Sequence, residues 1–138
     1  FSEPFRHVLF ATDFTPAATR AATFASTFSE VAGGSLDVLN VLPESARKDP
    51  AEWAELEGRY TRALDQLVPE HAREFLSPHT YVETGDAQDR ILGHIRERHI
   101  DLLVLGIRKA SHLGLEMRTS TAFYIIANAE CPVLTITS

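Results

Sequence analysis

The chain has 138 residues and a formal net charge of -6 at pH 7, with 44% hydrophobic and 23% charged residues. This length suits one compact domain with a sizeable core, so we expect a single domain over residues 1–138. An acidic chain lacks the basic face that neutralises nucleic-acid phosphates, and the same charge disfavours anionic membranes. No apolar run approaches the roughly 20 residues of a membrane span, and the start at Phe1 does not resemble a basic signal sequence. We therefore expect a cytoplasmic protein that binds neither nucleic acid nor membrane.

The first apolar run, residues 7–12, has no polar alternation, which is typical of a strand buried on both faces of a parallel sheet. Thr15 is a suitable helix cap and Pro16 suits the first helical position. An apolar stripe follows at three- and four-residue steps, and Gly33-Gly34 can adopt the left-handed backbone that ends a helix. The stripe consists of Ala18, Ala21, Ala22, Ala25, Phe28 and Ala32.

Strands and helices alternate through the rest of the chain. Further strands are predicted at residues 36–42, 80–83, 101–106 and 132–136, and helices at 50–68, around 91–95 and around 122–126. The segment after Pro69 is ambiguous. This alternation predicts an α/β fold with a mostly parallel sheet, helices on both faces and right-handed crossovers.

Ligands of such folds bind beyond the carboxyl ends of the strands, near the point where the strand order reverses. The residues just after each predicted strand are therefore candidate contacts. These are Thr12-Asp13, Val41-Leu42, Gly85-Asp86 and Gly106-Ile107.

Three passages resemble the universal stress protein family: residues 11–15 with the signature Asp13, residues 82–86 after the third strand, and residues 129–136 as the closing strand. Together they extend over almost the whole chain. The resemblance implies an open five-stranded sheet of order 3-2-1-4-5, Rossmann-like and similar to the adenine nucleotide alpha hydrolases. It also implies a homodimer that pairs through the last strand, residues 132–137. A sister domain would replace the second copy if the chain is one half of a tandem protein.

Members of this family that bind ATP carry a G-x2-G-x9-G-[ST] loop after the fourth strand. The corresponding positions here are Gly106, Lys109, Thr119 and Ser120, so only the two ends of the pattern are kept. Side chains at 109 and 119 obstruct the approach of phosphates to main-chain N–H groups. Lys109 nevertheless offers a positive charge, and Thr119 with Ser120 can cap a helix whose N-terminus favours an anion.

The resemblance thus gives a set of candidate nucleotide contacts, and a bound ATP or AMP stays an open question. The set is Thr12, Asp13, Val41 through its backbone, Gly106, Lys109, Ser120 and Thr121. Ordinary structural roles compete with these: Asp13 can brace a turn, Val41 can simply end a strand, and Ser120 can cap a helix.

Other chemistry has weak support in the sequence. His94 and His99 are five apart, and we expect the six histidines to be solvated or helix-capping rather than metal ligands. Cys131 is expected to be a buried structural thiol. Arg96, Arg98, Arg108, Lys109 and Arg118 can place positive charge near the strand ends, and we expect some of this group to form a solvated helix face instead.

Three functions follow from these observations. The favoured one is a non-enzymatic stress-response module that acts through partner contacts, with weak or absent ATP binding. The second is an ATP or AMP sensor in which Lys109 replaces lost backbone contacts. A slow adenine-nucleotide hydrolase is the least favoured, because the sequence contains no recognisable set of nucleophile, base and orienting residue and no Walker-type loop.

Overall fold

A computed structural model describes residues 6–14, 17–107 and 119–137. The strands are β1 (His7–Ala11), β2 (Ser35–Leu42), β3 (His79–Thr84), β4 (Leu102–Ile107) and β5 (Val133–Thr137). The helices are α1 (Ala18–Ala32), α2 (Pro50–Leu67), α3 (Glu70–Leu76), α4 (Ala87–Arg98) and α5 (Thr119–Asn128), and a 3-10 turn spans Glu44–Arg47. Within these described residues, no helix has the length and apolar character needed to cross a membrane.

All four strand pairings are parallel, and the sheet order is β3-β2-β1-β4-β5, which confirms the predicted architecture. The central strand is β1, where Val8 pairs with Leu36 on one side and with Leu102 on the other. The chain leaves β1 toward β2 and later returns to place β4 on the opposite side. The strand order therefore reverses between β1 and β4, and a crevice forms there at the carboxyl ends of the strands.

The sheet separates two hydrophobic clusters, because successive side chains of a strand point to opposite faces. One cluster joins α1, α2 and α3 to residues such as Phe10 and Val38, and the other joins α4 and α5 to residues such as Leu9 and Leu103. The helix α1 presents Ala21, among other small residues, to the first cluster, and the lack of bulk lets it lie close to the sheet. Both faces of the sheet are thus covered by helices, as predicted.

The helix boundaries agree with the signals in the sequence in several places. Gly33 has a φ of 65° after α1 and donates to the carbonyls of the last turn, and Asp49 caps α2 by accepting from two backbone N–H groups. The ambiguous segment after Pro69 forms the short helix α3. The predicted cap Thr15 and the neighbouring Pro16 lie outside the described residues.

The two central strands are clasped at their amino ends. The backbone N–H of His7 donates to Oδ2 of Asp101 over 3.0 Å, and the N–H of Asp101 donates to the carbonyl of His7 over 2.7 Å. Since these residues precede the Val8–Leu102 pair, the clasp fixes the register of β1 against β4.

Candidate functional site

The turn after β1 is held by three hydrogen bonds on Thr12. Its N–H donates to the carbonyl of Leu39 over 3.0 Å, its carbonyl accepts from Nδ2 of Asn40 over 2.9 Å, and its hydroxyl oxygen accepts from the N–H of Phe14 over 2.9 Å. Asn40 and Thr12 are both buried. The half-buried Asp13 therefore lies in a turn whose backbone is fixed on both sides.

Phe14 has a φ of 63°, a left-handed conformation that a bulky side chain rarely adopts. Its ring packs against Tyr60 of α2, with the ring centroids 5.6 Å apart, and against the first hydrophobic cluster. Backbone strain of this kind costs about 1–3 kcal/mol and persists only where the surroundings enforce it. The packing around Phe14 therefore holds the turn that carries Asp13 in one strained conformation beside the crevice.

The end of β2 offers main-chain groups to the same crevice. The pairing of β1 with β2 ends at Ala11 and Leu39, so Val41 extends two residues beyond it. In a strand the N–H and C=O of one residue point to the same side, and that side alternates along the chain. Because the carbonyl of Leu39 faces Thr12, the N–H and C=O of Val41 also face the β1 side. There they lie beyond the Ala11–Leu39 pair that ends the pairing of β1 with β2.

Gly106 and the start of α5 complete the crevice. Gly106 is buried near the end of β4, in a strand that pairs with β1 through Ala11 and Leu105. An added Cβ at Gly106 would lie 3.5 Å from Cβ of Ala17, an ordinary van der Waals distance. The half-buried Thr121 lies in the first turn of α5, where main-chain N–H groups lack partners inside the helix.

The end of β3 leads into α4 through a tight turn. Gly85 has a φ of 129° and donates its N–H to the carbonyl of Leu42 over 2.9 Å. Asp86 caps α4, because its Oδ1 accepts from the N–H of Asp89 over 3.2 Å. The carboxylate of Asp86 thus has a structural partner at the helix end.

The universal stress protein family profile matches residues 4–137 of the chain. The chain belongs to the universal stress protein family. No curated protein shows significant similarity to it.

Solved structures of universal stress proteins share its fold. The stress protein UspA of Lactobacillus plantarum superposes with a TM-score of 0.74 at 23% identity, and the match covers 97% of this chain and 99% of that one. A universal stress protein in complex with cAMP gives a TM-score of 0.70 at 16% identity, covering 98% of both chains. One from Archaeoglobus fulgidus, in complex with dAMP, gives 0.61 at 20% identity and covers 97% and 99%.

The predicted nucleotide contacts of this universal stress protein domain that fall within the described residues lie on or directly after three neighbouring strands and on α5. Thr12, Asp13 and Gly106 follow or end the neighbouring strands β1 and β4, and Val41 lies on the next strand outward. Ser120 and Thr121 belong to the first turn of α5. Lys109 and the side chain of Ser120 lie outside the described residues, so their predicted contacts stay predictions.

Sequence reasoning missed a cluster of charged groups around Asp37, near the amino end of β2. Asp37 is buried, and its Oδ2 lies 2.9 Å from Nε2 of His94 and accepts from Nε of Arg98 over 3.2 Å. Its Oδ1 has no hydrogen bond, but Nδ1 of His79 lies 3.5 Å away. The ring of Tyr81 contacts the ring of His94, with centroids 4.7 Å apart. We call these five residues the Asp37 cluster.

The charge of Asp37 is stabilised although the side chain is out of water. Burial acts to raise the pKa of this carboxyl, but the hydrogen bonds from His94 and Arg98 together with their charges outweigh burial and leave the pKa below its ordinary value of 3.8. The same hydrogen bond to Asp37 raises the pKa of Arg98. The Asp37 cluster therefore maintains a buried carboxylate at neutral pH.

The structure contradicts the prediction for His94 and decides between the two alternatives for Arg98. His94 is buried on the sheet side of α4 rather than solvated or capping, because it pairs with the carboxylate beneath it. Arg98 lies near the amino end of the sheet rather than at the carboxyl ends, because α4 runs back along the strands and ends beside Asp37. His99 does follow α4 as its C-cap residue.

Neither metal nor thiol chemistry is indicated by the described side chains. Among residues 6–14, 17–107 and 119–137, no group of three or more His, Cys, Asp or Glu side chains is arranged to hold a metal ion. Cys131 is half-buried rather than fully buried, and burial raises the pKa of its thiol. A raised pKa keeps the less reactive protonated form at neutral pH, which agrees with the structural role predicted for it.

Proposed function

We propose that this universal stress protein domain is a non-enzymatic module that acts through partner contacts and holds an adenine nucleotide weakly in the crevice between β1 and β4. The observation that carries the proposal is the position of Val41. Its main-chain N–H and C=O extend beyond β1 into the crevice and can pair with the donor and acceptor edge of an adenine ring. The cAMP and dAMP complexes of two structural relatives support an adenine nucleotide as the ligand class.

Weak binding follows from the loop after β4. A phosphate held by main-chain N–H groups needs close access to the backbone, which glycine gives and other residues restrict. Lys109 and Thr119 occupy two positions where ATP-binding members carry glycine. Gly106 and the first turn of α5 remain available, so we expect a reduced affinity rather than a complete loss.

Partner contacts are proposed at β5, which is an edge strand that pairs only with β4 within the sheet. An unpaired strand edge presents backbone donors and acceptors that another strand can satisfy. A second copy of β5, antiparallel to the first and related by a two-fold axis, would complete this pairing. We therefore propose a homodimer through residues 132–137, or the equivalent contact with a sister domain.

Calorimetry with ATP and AMP tests the nucleotide proposal. The wild type should bind weakly, and the double variant Lys109→Gly/Thr119→Gly should bind more tightly, because both substitutions restore access to the backbone. Tight binding by the wild type that weakens on glycine restoration would refute the proposal. Measurement of nucleotide released by heat denaturation of the purified protein provides an independent check.

The sensor hypothesis makes a different prediction about Lys109. If the ammonium group replaces the lost backbone contacts, Lys109→Gly alone should weaken binding, and added salt should weaken wild-type binding more than it weakens binding to the variant. The first turn of α5 supports this alternative, since the N-terminus of a helix attracts an anion. The single and double variants therefore distinguish a loop in which Lys109 obstructs nucleotide binding from one in which Lys109 supports it.

A further inference from the structure

A polar groove of about 590 Å³ lies outside the proposed nucleotide crevice, between α4 and the end of β3. Arg47, Thr84, Arg90 and Gly93 line it, and His94 of the Asp37 cluster also reaches it. We call it the α4 groove. It lies beside the edge strand β3, whereas the candidate nucleotide residues belong to β1, β2, β4 and α5.

Two arginines that line this groove, Arg47 and Arg90, both bind Thr84. Nε of Arg47 donates to Oγ1 of Thr84 over 2.6 Å, and Nε of Arg90 donates to the carbonyl of the same residue over 2.9 Å. In the described part of the chain, neither guanidinium has a carboxylate within 4.0 Å. Two positively charged side chains thus bind Thr84, and among the described residues neither forms an ion pair that would neutralise its charge.

Both arginines are fixed in a way that leaves donors free. The guanidinium of Arg47 stacks over the ring of Trp53 at 4.4 Å, so its face is covered while its edge is not. Arg90 passes close to Gly85, where an added Cβ would lie 3.0 Å from Nε of Arg90. Each side chain uses Nε for its anchor, and its terminal nitrogens make no hydrogen bond to the described residues, so they can act as charged donors.

A glycine that lines the groove, Gly93, also indicates that the groove holds a ligand. Gly93 lies inside α4, where glycine is less stable than alanine by roughly 1 kcal/mol. Packing does not require it, because an added Cβ would meet nothing within 4 Å. A bulkier residue would occupy groove space beside Arg90. Space for a ligand therefore explains a residue that helix stability disfavours.

We propose that the α4 groove binds a small phosphate-bearing anion, with Arg47 and Arg90 as its contacts and Gly93 as the open floor. Planar guanidinium groups match the oxygens of phosphate better than a single ammonium does. The same groove is also lined by the carboxylates of Glu44, Glu83, Asp89 and Glu97. Arg96 lines the groove as well, so three guanidinium groups stand against four carboxylates. Repulsion by the carboxylates grows with the charge of the ligand, so a small anion such as inorganic phosphate or a phosphomonoester fits this groove better than a polyanion such as nucleic acid.

The test is a titration of the full chain with inorganic phosphate, followed by NMR at constant ionic strength with chloride as the reference salt. We expect phosphate to shift the Arg47 and Arg90 Nε–H signals and the Gly93 amide. The double variant Arg47→Gln/Arg90→Gln should weaken binding by about tenfold or more, the size of a lost charge-assisted hydrogen bond. Arg62→Gln/Arg73→Gln, which removes two exposed charges elsewhere, should leave the affinity unchanged.

AMP and adenosine serve as further probes, and competition by AMP but not adenosine would identify a phosphomonoester as the ligand.

Glycine variants separate ligand binding from folding. Gly93→Ala should raise Tm by roughly 3 °C through improved helix propensity and still weaken phosphate binding. Gly58→Ala, in the interior of α2, should raise Tm similarly without affecting binding. Equal shifts with chloride, equal loss in the Arg62/Arg73 control, or unchanged affinity in Gly93→Ala would each overturn the proposal. If the glutamine variant unfolds, Arg47→Lys and Arg90→Lys replace it, and a lysine pair that binds as tightly as wild type would also refute it. The inorganic phosphate, arginine and glycine outcomes are read at the α4 groove and do not depend on nucleotide binding between β1 and β4.

Discussion

The substitution His94→Leu tests whether the Asp37 cluster contributes to stability. Leucine retains much of the volume of the histidine ring but cannot donate to Asp37, which leaves the carboxylate buried with a hydrogen bond from Arg98 and with Nδ1 of His79 at 3.5 Å. Removal of one member of a buried ion pair costs about 3–5 kcal/mol, mainly because the other charge stays out of water. The side chain of Arg98 is 46% exposed, so water reaches the remaining pair and we expect the lower end, about 3 kcal/mol.

Thermal and urea denaturation followed by circular dichroism measure this effect. For a domain of this length, a loss of 3 kcal/mol corresponds to a decrease of Tm by roughly 12 °C. His71→Leu is the matched control, because His71 lies 3.4 Å from Glu30 but its side chain is 73% exposed. An exposed pair contributes less than about 1 kcal/mol, so this control should remain close to wild type.

The pH dependence provides a second measurement on the same residues. Since the folded pKa of Asp37 lies below its ordinary value of 3.8, its stabilising effect is fully present above that value and is lost as the pH falls through the folded pKa. The stability difference between wild type and Asp37→Asn should therefore decrease as the pH falls below about 3.8. In His94→Leu the carboxylate loses a donor, so acid unfolding should begin at a higher pH.

A double variant decides whether the energy arises from the pair. Asp37→Leu/His94→Leu removes both polar groups, and replacement of a buried pair by apolar side chains is often neutral. The double variant should consequently be more stable than His94→Leu alone. A loss below about 1 kcal/mol in His94→Leu, or a double variant that is less stable than the single one, would refute the assignment of Asp37 as a buried charge held by His94.

Three further predictions concern the core, the crevice and the edge. Leu103→Ala should destabilise the domain by about 2–5 kcal/mol in urea denaturation, because Leu103 is fully buried in β4, whereas Val31→Ala at an exposed site should change stability by no more than about 0.5 kcal/mol. Gly106→Ala should fold normally, since its Cβ meets only ordinary contacts, yet it should weaken ATP binding in calorimetry. Unchanged affinity would show that the ATP phosphates do not bind next to β4. Leu134→Pro should give monomers or aggregates in sedimentation, and an unchanged dimer would exclude β5 as the interface.

The sheet was predictable from sequence because its strands carry strong local signals. Residues 102–105 are apolar without alternation and prove to be buried on both faces. The 3-10 turn Glu44–Arg47 and the helix α3 were not predicted, since each is too short for a hydrophobic period to be distinguished from a loop. The exposed positions of Phe123 and Ile126 on α5 were also not predicted, because apolar residues on a helix do not reveal which of them face the sheet.

The Asp37 cluster shows where sequence reasoning ends. The signal was present, because Asp37 is a charged residue inside a run that predicts a buried strand, and such a charge requires a partner. His94 lies 57 positions further along the chain. Only the packing of α4 against the sheet brings the two together, and no local pattern specifies that arrangement. The convergence of Arg47 and Arg90 on Thr84 was missed for the same reason.

The clasp between His7 and Asp101 joins residues 94 positions apart, and this has a consequence for how the chain folds. Pairing of β1 with β2 closes a short segment, whereas pairing with β4 must wait until residues 102–107 are available. Loop-closure entropy makes such distant parallel contacts slow to form. During synthesis, β1 therefore spends an interval with the backbone N–H and C=O groups of one edge unpaired, and aggregation of nascent chains is expected to be greatest just before residues 102–107 leave the ribosome.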